Sequence, residues 1–211
     1  MTRRWKWNII FWSVAIIHVI GLYFNWPSVY FTKPMIMLTL IYFYFFHARN
    51  FSIPFFAALV FALAGGLFLM CPEDHFFLLG LSCFLIMQVL YAVTFLQDRG
   101  PFQYKSLLPI VGILLMVISL LWHLWPGLED AMKIAVPFYG VTIASMGISA
   151  ALRDNTKEHY YPVAIGAFIF ILSDACLAID KFSAEFTQAT IIIMISYICA
   201  QYLIVTGITK Q

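Results

Sequence analysis

Eight runs of about 20 apolar residues, set apart by short polar connections, decide what this chain of 211 residues can become. They fall at 8–24, 30–46, 53–70, 76–96, 106–125, 131–151, 161–180 and 187–208. A helix of that length crosses a bilayer core of roughly 30 Å, and in hydrocarbon each segment must satisfy its own backbone polar groups. The predicted fold is therefore all-α: one polytopic membrane domain over 1–211 with eight transmembrane helices. Composition agrees, since 63% of the residues are hydrophobic and only 10% charged, against about 25% charged in soluble domains. A disordered chain is excluded on the same grounds. A net charge of +2, scattered along the chain, offers no basic face for nucleic acid.

The first run follows Arg3, Arg4 and Lys6 and ends without a small-x-small cleavage pattern, so it reads as a span rather than a signal peptide. Placing the N-terminus inside gathers Arg3, Arg4, Lys6, Arg49, Arg99, Lys105, Arg153, Lys157 and Lys210 on the inner side. Lys33, Lys133 and Lys181 are left outside. This asymmetry predicts that both termini are cytoplasmic. Four scattered cysteines without C-x-x-C, and five histidines without H-x-x-x-H or H-E-x-x-H spacing, call for neither a metal nor another cofactor. Glu73-Asp74-His75 reads as a solvated turn.

The two halves of the chain are weakly alike. Pro34 opens the second run and Pro137 the sixth, Gln88 and Gln201 sit at similar depth in the fourth and eighth, and Gly66 in the third aligns with Asp174 in the seventh. The offsets of 103, 108 and 113 residues drift as changes in loop length make them. Either the chain is built from two parallel four-helix repeats, or the likeness is chance in a restricted apolar alphabet.

Asp174 is the one acid deep within a run, thirteen residues after Tyr161 and seven before Lys181. An intramembrane carboxylate is expensive, so it faces the bundle interior or a wet cavity and marks a candidate site. Depth nominates its neighbours: Lys33 at the head of the second run, Tyr197 and Gln201 sharing a face of the eighth, and Gln88 and Tyr91 paired on the fourth. Asp180 lies about 120° around the helix from Asp174, which rules out a close acid pair. On the sixth run, Tyr139 and Thr142 share a face, while Gly140, Ala144, Gly147 and Ala151 form a small-residue stripe. That stripe reads as tight helix packing.

These residues resemble the YhhN-like integral membrane proteins, whose characterised members are lysoplasmalogenases. The likeness runs through Lys33-Pro34, Ala64-Gly65-Gly66-Leu67-Phe68-Leu69-Met70, and the spaced set Gly80, Phe84, Gln88, Tyr91 and Phe95. It continues through Tyr139-Gly140, the run Gly166-Ala167-Phe168-Ile169-Phe170-Ile171-Leu172-Ser173-Asp174, Lys181-Phe182, and Tyr197 to Ile204. The resemblance implies an eight-helix fold and hydrolysis of the vinyl ether bond of a lysolipid to a fatty aldehyde and a glycerophospho-alcohol. It implies Asp174 as general acid in a substrate pocket containing Lys33, Gly66, Gln88, Tyr91, Ser173, Tyr197 and Gln201. Two positions depart from the family pattern. Gly66 stands where the pattern has aspartate, and Gln88 where it has histidine.

Vinyl ether hydrolysis begins with proton transfer to the β-carbon, and water then captures the oxocarbenium ion. Low dielectric favours the neutral, proton-donating form of a carboxyl; a salt bridge from Lys33 would instead keep Asp174 ionised. Three classes of function follow from this chain: a lysolipid ether hydrolase, a non-catalytic relative that binds lipid or scaffolds a membrane partner, and a transporter. A single intramembrane acid gives the transporter little machinery for ion coupling.

Overall fold

The computed structural model describes residues 2–130, 132–154, 156, 158–184 and 186–210. Lys157, and the side chains of Arg3, Arg4 and Asp74, lie outside the described residues. Among the described residues eight α-helices follow the eight apolar runs: α1 Thr2–Tyr23, α2 Val29–His47, α3 Ile53–Phe68, α4 Asp74–Gln97, α5 Leu107–Leu124, α6 Met132–Ala151, α7 Tyr160–Phe182 and α8 Ala189–Thr209. Seven are long and apolar enough to cross a membrane, while α3, at 16 residues, is shorter. It ends two residues before the apolar run does: past Leu69 the N–H groups of Met70 and Cys71 take tighter i−3 bonds to Leu67 O (3.1 Å) and Phe68 O (3.0 Å), and Pro72 follows. At the other extreme α1 starts at Thr2, six residues before its apolar run, since a helix entering a membrane carries its polar first turns with it.

The molecule is apolar on the outside. Trp122, Leu108, Ile134 and Phe31 are more than three-quarters exposed, whereas Gln88, Gln201, His18 and Ser173 are buried. That inversion suits a chain whose solvent is lipid, where polar side chains find partners only inside the bundle. The protein is a multi-pass membrane protein.

The helix neighbours fall into matching sets. α1 packs on α2 as α5 does on α6, α2 on α3 as α6 on α7, and α3 on α4 as α7 on α8. The halves interlock through α4 against α6 and, in the equivalent place, α8 against α2. Glycine permits close approach of backbones: a Cβ on Gly166 of α7 would lie 2.9 Å from Ala200 O of α8. Any side chain there would push the two backbones apart.

One end of the bundle is closed by a polar clasp between the α4–α5 and α6–α7 connections. Arg153 donates to Asp98 Oδ2 (2.9 Å), and His159 Nε2 lies 3.0 Å from the same oxygen. Backbone bonds from Asp154 N to Asp98 O (3.0 Å) and from Gly100 N to Leu152 O (3.2 Å) run alongside. Arg153 is 2% exposed, and burial draws its guanidinium below its ordinary range while Asp98 draws it back up. At the other end His75 Nε2 lies 3.6 Å from Glu73 Oε2 on the exposed surface turn.

Candidate active site

Packing against α8 fixes the rotation of α7. Beyond the contact at Gly166, Ser173 donates to Ile193 O of α8 (2.9 Å). The next residue points about 100° further around the helix, and Asp174 therefore meets α4 and α6. Tyr139 O–H of α6 donates to Asp174 Oδ2 in a very short bond, and Gln88 Nε2 of α4 donates to the same oxygen at 3.2 Å. Thr142 lies 2.8 Å from Gln88 Oε1, which sets the amide with its N–H side toward the carboxyl. Among the described residues both hydrogen bonds to the carboxyl go to Oδ2 and none to Oδ1, and Asp174 borders open space.

That space is a cavity of about 360 Å³, within the roughly 300–1,000 Å³ range of small-molecule pockets. Lys33, Gly66, Ser173, Asp174 and Tyr197 all line it, so five of the eight expected site residues converge there. Lys33 does not pair with Asp174: among the described residues no carboxylate stands within 4 Å of its ammonium. The lysine-bound arrangement of the acid is not the one adopted. Gly66 presents bare backbone, and a Cβ built on it would have nothing within 4 Å. A narrower apolar crevice of about 50 Å³ meets Asp174 on the side of Tyr139 and α5.

The other three expected pocket residues lie behind the cavity wall. Gln88 reaches the site only through Asp174, as a positioning group. Tyr91 donates to Gln201 Oε1 (2.6 Å) in a fully buried bond between α4 and α8, with the Tyr91 ring stacked between Phe55 and Phe95. The i, i+3 and i, i+4 pairs expected within α4 and α8 are thus exchanged for bonds between helices. Asp180, set aside on angle alone, shares the cavity with Asp174 because the cavity curves around α7. Tyr139, Thr142 and His18 belong to the site as well, and only the shared face of Tyr139 and Thr142 was visible in the sequence.

The sequence pattern of the YhhN family matches residues 28–208. The chain belongs to the YhhN family. The lysoplasmalogenase TMEM86A of Bos taurus is 30% identical to it over 160 residues, which cover 71% of this chain and 62% of that protein. The Homo sapiens TMEM86A lysoplasmalogenase is 29% identical over 156 residues, with the same two shares. The TMEM86B lysoplasmalogenase of Sus scrofa is 30% identical over 155 residues, 73% of this chain and 62% of its own. The match thus spans less than two thirds of the length of these relatives. No solved structure matches the chain.

Proposed function

We propose that this protein hydrolyses the vinyl ether bond of a lysolipid within the membrane, with Asp174 as general acid. The observation that supports it most is the lopsided bonding of a carboxyl on the wall of a ligand-sized cavity: both described donors hold Oδ2, which leaves Oδ1 to carry a proton. A neutral acid bonded in this way accepts at its carbonyl oxygen and carries its proton on the free one. The proton passes from Oδ1 to the β-carbon, whose new C–H bond takes the π pair, and the ether oxygen stabilises the cation. Water adds to the α-carbon and returns a proton to the carboxylate, which Tyr139 and Gln88 steady meanwhile. The hemiacetal then collapses to aldehyde and glycerophospho-alcohol. Both termini are assigned to the cytoplasm on the basic residues of the inner loops.

The direct experiment supplies purified protein with a 1-alkenyl lysophospholipid and with its saturated 1-alkyl ether. Aldehyde is expected from the first alone, and early product formed in deuterium oxide carries one deuterium on C2. No aldehyde above the blank, in folded protein, overturns the hydrolase reading. One observation favours a second reading, a lipid-binding relative without catalysis: Gly66 leaves no group on α3 to stabilise the oxocarbenium ion. Open space at that position makes the point testable. Gly66→Asp is expected to raise the rate by about 10- to 100-fold, in the manner of a charge placed where an opposite one develops. Gly66→Asn, similar in shape and uncharged, is expected to leave the rate within about twofold. Equal rates for the two variants would show that position 66 does not face the reacting atoms.

A further inference from the structure

The cavity holds polar groups for which proton transfer has no use. Lys33 places an ammonium on its wall with no described carboxylate within 4 Å, although Asp174 and Asp180 line the same space. Asp180 is engaged with the backbone N–H of Phe186 at 3.4 Å. A cation among apolar walls without a counterion is costly, and a bound anion relieves that cost. Beside it stands His18 of α1, 0% exposed, its Nδ1 satisfied by Thr32 Oγ1 at 2.8 Å. Its Nε2 is buried without any hydrogen-bond partner. Thr32 Oγ1 donates to Ser28 O (3.1 Å), so the neutral ring holds its proton on Nδ1 toward Thr32 and leaves Nε2 an acceptor; a proton taken up with a bound anion turns Nε2 into a second donor next to Lys33. Lys33 and Asp174 share the cavity without forming an ion pair, so a ligand can set an anion against one and an ether against the other.

We propose that Lys33 and His18 form the binding site for the phosphate of the lysolipid head group, seating the ether end against Asp174. This rests on the reading of the cavity as a lysolipid site, but it concerns binding and can be measured without turnover. The probes are a saturated 1-alkyl lysophospholipid, the matching 1-alkyl glycerol without phosphate, and inorganic phosphate, titrated onto full-length protein in detergent by calorimetry. The alkyl lysophospholipid is expected to bind at least about tenfold more tightly than the alkyl glycerol, given what a charge-assisted hydrogen bond contributes. Lys33→Met should erase that difference, Lys33→Arg should keep it, and His18→Leu should cut it severalfold. Inorganic phosphate should bind far more weakly than the lipid.

Equal affinity of native protein for the two lipids overturns the site, as does a Lys33→Met variant that still tells them apart. Inorganic phosphate binding as tightly as the lysophospholipid overturns the lipid as its source. Failure of the hydrolase reading looks different: phosphate-dependent binding persists and no aldehyde forms.

Discussion

Asp174→Asn is expected to lower aldehyde release by about 10²- to 10⁴-fold, the contribution usually made by a positioned general acid. The amide has the shape of the carboxyl and keeps an oxygen to accept from Tyr139 and Gln88, so the bonds that fix α7 against α4 and α6 survive. What disappears is the acidic proton that the proposed reaction requires. The same reasoning predicts little change in stability, because exchanging a neutral acid for an amide leaves no buried charge unpaired. Thermal unfolding in detergent, run beside the aldehyde assay, separates lost chemistry from lost fold. Equal product from native protein and a well-folded Asp174→Asn would remove this residue from the mechanism. Tyr139→Phe is the milder companion, since it removes one donor to Oδ2 and leaves the proton in place.

The second large effect lies far from the cavity. Asp98→Ala strips the buried Arg153 of a carboxylate at 2.9 Å and His159 of a neighbour at 3.0 Å. Removing one partner of a buried ion pair costs about 3–5 kcal/mol, because the other is left charged in a poor solvent. Replacing both partners with apolar groups costs much less, so Asp98→Ala combined with Arg153→Met should recover most of the lost stability. Unfolding of the two single variants and the double gives the coupling directly. If the losses simply add, the clasp does not tie the two connections together.

The fold was legible because hydrocarbon imposes a blunt rule: about 20 apolar residues for each crossing. Helix ends were less legible, since a polar first turn can extend a helix, as in α1, and a tight turn can cut one short, as in α3. Asp174 stood out because a carboxyl deep in an apolar run needs a reason to be there. Its partners did not. Spacing along Tyr139 and Thr142 shows that they share a face of α6, but nothing local shows which helix that face meets. Gln88, Tyr91, Tyr197 and Gln201 were visible as polar pairs along their own helices; the bundle joins Gln88 to Asp174 and Tyr91 to Gln201 across helices, and among the described residues the buried Tyr197 hydroxyl has no hydrogen-bond partner. His18 carried no signal at all, because a lone histidine in an apolar run becomes informative only when its ring nitrogens are counted against their neighbours.

The gap beside Gly66 also gives a chemist a foothold. On the proposed reading, a lysolipid mimic with a short branch directed at α3 would have room in this chain, where a Cβ would meet nothing within 4 Å, and would collide with a relative bearing a side chain at that place. Selective inhibition within the family would then depend on the emptiness of one position, with no need for a distinctive warhead.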